Sequence, residues 1–118
     1  MSPRFSTYLL NEAIERERRE RESLRLRLVN KVFSAIDRLA REIPFEEAYL
    51  FGSIIKPNRF LEGSDVDIAF VGLRDEHFFK AMSFLSREVG VDVDVVQLEG
   101  HRLEGKVKRE GIKWIRNN

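Results

Sequence analysis

From about Tyr8 to Ile43 the chain contains neither Gly nor Pro and is dominated by good helix formers. In the second half of that stretch Leu24, Leu28, Val32, Ala35, Ile36, Leu39 and Ile43 recur at helical spacing, which predicts one apolar face. The first half does not repeat the stripe. Residues 15–22 read ERERRERE, four Glu and four Arg whose ion pairs at three- and four-residue spacing sustain an exposed helix facing solvent or a partner. Pro44 ends the element, because the residue before a proline is pushed away from helical angles. Three apolar runs then have the length of buried strands: AYLFG at 48–52, DVDIAFVGL at 65–73 and VDVDVVQL at 91–98. The first two are joined by IIKPNRFLEGS, a helical turn and loop. The second and third are joined by RDEHFFKAMSFLSREVG, a helix with Phe78, Met82 and Leu85 on one face and Gly90 as its terminator. HRLEGKVKREGIKWI closes the chain as an amphipathic helix weakened by Gly105 and Gly111, with Leu103, Val107 and Ile115 as core positions. The expected fold is α+β: a long N-terminal helix and a short mixed β-sheet of at least three strands, backed by helices on one face.

Length changes this picture little. The 118 residues suit one domain, 1–118, with 1–27 a charged helical extension and 28–118 the core. Composition removes several function classes. With 21 basic against 20 acidic residues the net charge is +1, so bulk electrostatics make no case for nucleic acid. The absence of cysteine excludes disulfides, thiolate zinc sites and Cys nucleophiles, and fits a reducing cytoplasm. No apolar run approaches the roughly 18 residues of a membrane span, and the first residues lack the apolar core of a signal peptide. A cytoplasmic location is expected.

Four of the six Asp fall in two Asp-x-Asp pairs, Asp65/Asp67 and Asp92/Asp94. In a strand, residues i and i+2 share a side, so Asp65 and Asp67 project together. If the third strand lies beside the second, Asp92 or Asp94 joins them. Carboxylates opposed on neighbouring strands repel unless a cation lies between them. Three around one point describe a hard-cation site suited to Mg²⁺ or Mn²⁺, and two such ions about 3.5–4 Å apart clamp the attacking and leaving oxygens of a phosphoryl displacement. Gly52-Ser53 supplies the complementary half. A Gly at a strand end admits a ligand close to the backbone, the amides opening the next helical turn favour anions, and Ser53 adds a hydroxyl. An anion cradle facing metal carboxylates is what a nucleoside triphosphate requires. His77 and His101 are isolated and read as surface residues; Trp114 and the Phe-rich segment 78–84 read as core, and KVKRE at 106–110 as a solvated helix face. No Walker-type Gly-Lys-Ser/Thr or dinucleotide Gly fingerprint is present.

FGS at 51–53, GSDVDIAFV at 63–71 and VDVDVVQL at 91–98 together resemble the minimal nucleotidyltransferases of the DNA polymerase β superfamily. The resemblance covers roughly residues 28–116. It implies that Gly52 and Ser53 hold the triphosphate and that Asp65 and Asp67 hold the metals. It further implies that Asp94, followed by two apolar residues and a polar one, is the third catalytic and metal-binding carboxylate, with Asp92 as the fallback. Ser64, directly before the Asp pair, joins the nucleotide-binding candidates. Many relatives carry Arg soon after the Gly-Ser; here the positions are Ile54, Ile55, Lys56 and Pro57, leaving Lys56 or Arg59 to take that Arg's place.

The implied activity is transfer of AMP from ATP to a hydroxyl, with pyrophosphate leaving and the third carboxylate acting as base. The chain has no room for an appended acceptor-binding domain, so a partner is expected to supply the acceptor. Minimal members are commonly encoded beside a HEPN-type helical toxin, which implies an antitoxin that adenylylates a Tyr on that toxin. Two alternatives stand beside this. One is a module that neutralises its partner by contact alone through the 8–43 helix; the other is AMP transfer to a small molecule or RNA end. A homo-oligomer is compatible with all three readings.

Overall fold

A computed structural model describes residues 3–116; Met1, Ser2, Asn117 and Asn118, the ends of the expected 1–118 domain, lie outside the described residues. The first helix, α1, runs Pro3–Leu39, starting earlier and stopping sooner than the sequence pattern predicts. The chain leaves the helix before Pro44, yet Ile43 stays buried in the core. Val29, Val32, Ala35, Ile36 and Leu39 of α1 are buried, whereas Leu24, expected on the same face, is 59% exposed. At that level of the helix Arg25, not a leucine, turns inward.

Strand β1 (Glu47–Phe51) leads into a 3-10 turn, Gly52–Ile55, and a loop; β2 (Val66–Val71) returns antiparallel to β1, pairing Glu47 with Val71 and Phe51 with Asp67. A short 3-10 turn, Asp75–His77, precedes α2 (Phe78–Val89), which ends at Gly90 in the left-handed conformation (φ 86°). Helix α2 is the crossover that a parallel pair requires, and β3 (Val93–Gln97) then lies parallel to β2. Of the Phe-rich segment, Phe78 and Phe84 are half-buried but Phe79 is 73% exposed.

The chain end departs from the expected helix. Helix α3 is short (Glu104–Glu110), and the chain turns at Gly111 into a two-residue strand, β4 (Ile112–Lys113), paired antiparallel with β1. A Cβ on Gly111 would stand 2.6 Å from the Val107 carbonyl and 2.9 Å from that of Leu50, so only glycine permits this close turn. Ile115, expected in the core, is 72% exposed; Trp114 is buried instead. Its indole donates to Asp37 (2.8 Å), its amide to the Ala48 carbonyl (2.8 Å), and its ring packs on Phe45.

The finished sheet has the order β3-β2-β1-β4 and mixed direction. Strand alternation divides its residues. Ala48, Leu50, Val66, Ile68, Phe70, Val93 and Val95 face the main core under α1 and α2. Tyr49, Ala69, Leu98 and Val107 form a second, smaller core with Phe51, Val96 and Leu103. Helices therefore touch both faces, not one: α3 covers part of the face that carries the aspartates. The ends of β2 and β3 beyond it stay open.

Candidate active site

The parallel register of β2 and β3 sets Asp67 directly opposite Asp94. Asp92 stands one step before β3, where its carbonyl accepts the Val66 amide at 3.0 Å. Asp92 and Asp94 alternate to the same side in sequence; strand pairing brings Asp94 to Asp67. Asp65 lies one residue ahead of β2 and is exposed.

Asp67 is half-buried, and its carboxyl is raised above the ordinary value, first by burial, then by the charges of Asp94 and Asp65. Among the described residues none of the three carboxylates takes part in a hydrogen bond or ion pair, so nothing compensates that repulsion. Nor do any three acidic or imidazole side chains there form a ready-made metal cage. Oxygen donors of one sign, gathered and uncompensated, are the chemistry a hard divalent cation satisfies.

Gly52 closes the other side. Its φ is +79°, and a Cβ built on it would collide with Oδ2 of Asp67 and lie 3.3 Å from the carboxyl carbon. Glycine is favoured there twice over, by backbone conformation and by the carboxylate pressed against it, which would have to shift for any side chain. Ser53 follows in the 3-10 turn, whose Lys56 amide returns to the Ser53 carbonyl (3.1 Å). Ser64 shapes the far end of the loop: its hydroxyl accepts the Leu61 amide at 3.1 Å, and its amide donates to Leu61 at 2.9 Å. Arg59 is exposed in the same loop.

Two residues of the ERERRERE region and its border hold this turn in place. Arg25 is 7% exposed and donates to the Ile54 carbonyl at 2.7 Å. Glu22 pairs with Arg25 at 3.0 Å and accepts the Asn58 amide at 2.5 Å. Those bonds, first Arg25 and then Asn58, hold the Glu22 carboxyl below its usual range. The Glu/Arg spacing announces helical ion pairs; it carries no sign that one pair reaches across to the Gly-Ser turn.

A cleft of about 230 Å³ opens between this turn and α3, lined by Gly52, Lys56, Asp67, Leu103, Lys106 and Glu110 among others. Lys106, expected on a solvated face, joins Lys56 in the lining, so two lysines share the cleft with the carboxylates of Asp67 and Glu110. Phe51 and Leu103 supply apolar wall. Ser53, Ser64, Asp65 and Asp94 do not line this cleft, and neither histidine does. His77 and His101 are half-buried, and His101 Nδ1 accepts the Leu103 amide at 3.1 Å, shaping the entry to α3.

A mixed four-stranded sheet with paired aspartates beyond a Gly-Ser turn defines a nucleotidyltransferase fold. The chain belongs to the polymerase β nucleotidyltransferase family, whose model matches residues 34–117. Solved structures share the fold. One is a toxin–antitoxin complex with AMP-PNP, at 26% identity and TM-score 0.59 over 73% of this chain and 74% of that one. Another is the MntA–HepT toxin–antitoxin complex, at 25% identity and TM-score 0.53 over 73% and 71%. A third, described as a minimal nucleotidyltransferase, gives 27% identity and TM-score 0.58 over 77% and 92%. No curated relative matches the chain by sequence. Among the described residues, no helix is long and apolar enough to cross a membrane.

Proposed function

We propose that this nucleotidyltransferase moves AMP from ATP to a tyrosine hydroxyl on a HEPN-type helical toxin, acting as its antitoxin in the cytoplasm. The observation that carries the reading is Asp67 held opposite Asp94 with Gly52 against its carboxylate. The similarity to two toxin–antitoxin complexes, one with AMP-PNP, supports the partner and the nucleotide.

In this reading Asp65, Asp67 and Asp94 hold Mg²⁺ or Mn²⁺, which when bound offsets the triphosphate charge and acidifies the acceptor hydroxyl. Gly52 leaves the backbone open to the phosphates, and Ser53 and Ser64 offer hydroxyl donors. Lys56 and Lys106 bring positive charge to the rim on which the triphosphate settles. The tyrosine oxygen attacks the α-phosphorus, the bond to pyrophosphate breaks, and the hydroxyl proton passes to Asp94. Asp94 suits that role because it stands exposed on β3, an edge strand of the sheet, opposite Asp67.

The test is incubation with α-phosphate-labelled ATP and Mg²⁺, with and without the helical partner, reading label on each chain. Label on the partner that vanishes with Asp65→Ala supports the reading. A tight complex with no label on either chain overturns it in favour of neutralisation by contact, and labelled product without a protein partner assigns a small-molecule or RNA acceptor.

A further inference from the structure

We propose that the N-terminal half of α1 is a self-association surface, on which a second copy of this chain packs antiparallel through residues 10–28. This inference is independent of the catalytic reading, and the whole segment precedes the family match, which starts at residue 34.

Leu10, Ile14 and Leu24 are 61%, 47% and 59% exposed on a continuous helix, and Leu28 is partly buried at the edge of the core. A helix of this length gains little stability in water unless an apolar face is covered. Positions 10, 14, 17, 21, 24 and 28 are spaced alternately four and three residues apart, the seam of a coiled coil. They carry Leu, Ile, Glu, Arg, Leu and Leu. Read backwards, that seam keeps its chemistry: two apolar residues, two opposite charges, two apolar residues.

A two-fold axis at the level of residue 19 exploits the symmetry. Leu10 then meets Leu28 of the second copy, Ile14 meets Leu24 and Glu17 meets Arg21, because the members of each pair are equidistant from residue 19. A parallel pair would set Glu17 against Glu17 and Arg21 against Arg21, so charge selects the antiparallel arrangement. Both side chains are available, at 69% and 48% exposure, joined within the helix only at 4.0 Å. The seam is about 27 Å long at the helical rise. It begins where α2 ends: a Cβ on Gly90, the cap of α2, would lie 3.8 Å from Lys31 Nζ. N-terminal to Lys31, only Arg25 and Val29 among the described side chains of α1 are buried, and the second copy's helix covers the seam.

Sedimentation equilibrium of the full chain at micromolar concentration tests this, with the expected mass twice 13.9 kDa. Ile14→Glu, which sets a carboxylate against Leu24 of the second copy, should raise the dissociation constant by at least about tenfold. Glu17→Arg and Arg21→Glu should each weaken the dimer, and the two together should restore it, while circular dichroism reports unchanged helix content. A monomeric wild type, a dimer indifferent to Ile14→Glu, or a failed charge-reversal rescue overturns the proposal. A chain monomeric by itself whose residues 10–28 are covered only on addition of the helical partner also overturns it and assigns the seam to that partner.

Discussion

Replacing Arg25 by Met keeps the apolar stem of the side chain and deletes its guanidinium. Two interactions disappear. The bond to the Ile54 carbonyl is buried, 2.7 Å long and charge-assisted, worth about 1.5–3 kcal/mol. The pair with Glu22 is partly exposed on the Glu22 side and adds less than the buried bond does. The expected cost is therefore about 2 kcal/mol, most of it from leaving the Ile54 carbonyl without a partner. In a domain of this size that lowers the melting temperature by about 8 °C. The effect should also be local. Glu22, freed from Arg25, no longer holds the Asn58 amide, so amide exchange should quicken at Asn58 and Lys56 before it does in the sheet. Thermal melts read beside hydrogen exchange decide the matter. A melting temperature within about 2 °C of wild type, with Asn58 still protected, refutes the claim that α1 anchors the Gly-Ser turn.

Three further changes probe the site and its frame. Asp67→Asn should stabilise the metal-free protein at neutral pH. Because burial and the neighbouring aspartates raise the folded carboxyl, its ionised form destabilises the native state; stability falls as pH rises from the ordinary Asp value of 3.8 through the folded one. The gain should vanish below that window in urea titrations, and Mg²⁺ should stabilise wild type but not the variant. Gly52→Ala should cost about 1–3 kcal/mol, but only about 1 kcal/mol, the left-handed backbone cost, when Asp67→Ala is also present; additive costs in that double-mutant cycle would refute the steric account. Trp114→Ala should cost about 3–5 kcal/mol in chemical denaturation, since it empties a buried site and strands Asp37. A loss below about 1 kcal/mol would show that the segment after α3 closes nothing.

The fold was readable where one periodicity ruled. The apolar runs of β1, β2 and β3 lie within a residue or two of their observed limits, while the pairing of β3 beside β2, left conditional by the sequence, is settled as parallel by the structure. The misses have specific causes. A two-residue strand such as β4 has no period to detect, and Gly111 reads as a flaw in a helix until Val107 and Leu50 are seen crowding it. Leu24 and Arg25 exchange places because the apolar stripe assumes that the core continues alongside the helix; the core stops there, and a polar turn begins. Both Asp92 and Asp94 satisfy strand alternation, and a choice between them lies in the pairing with β2, which belongs to two segments at once. Glu22 and Arg25 were hidden for the opposite reason: Glu and Arg are abundant in this chain, so no composition signal separates two of them from the rest, and Lys106 sits in a charged run that reads as a solvated helix face.

Gly52 opens the 3-10 turn and Asp67 lies on β2, yet they press on one volume, and that sets the order in which the pair drifts in a descendant that abandons chemistry for contact alone. While the carboxylate remains, any side chain at 52 meets it, so glycine is retained. Once position 67 shortens, the steric constraint lifts and only the left-handed backbone remains, which Asn or Asp tolerates far better than a branched residue does. Asn at 52 together with Ala or Ser at 67 is thus the fossil signature of a lost site, whereas Asn at 52 beside an intact Asp67 requires the carboxyl group to turn away.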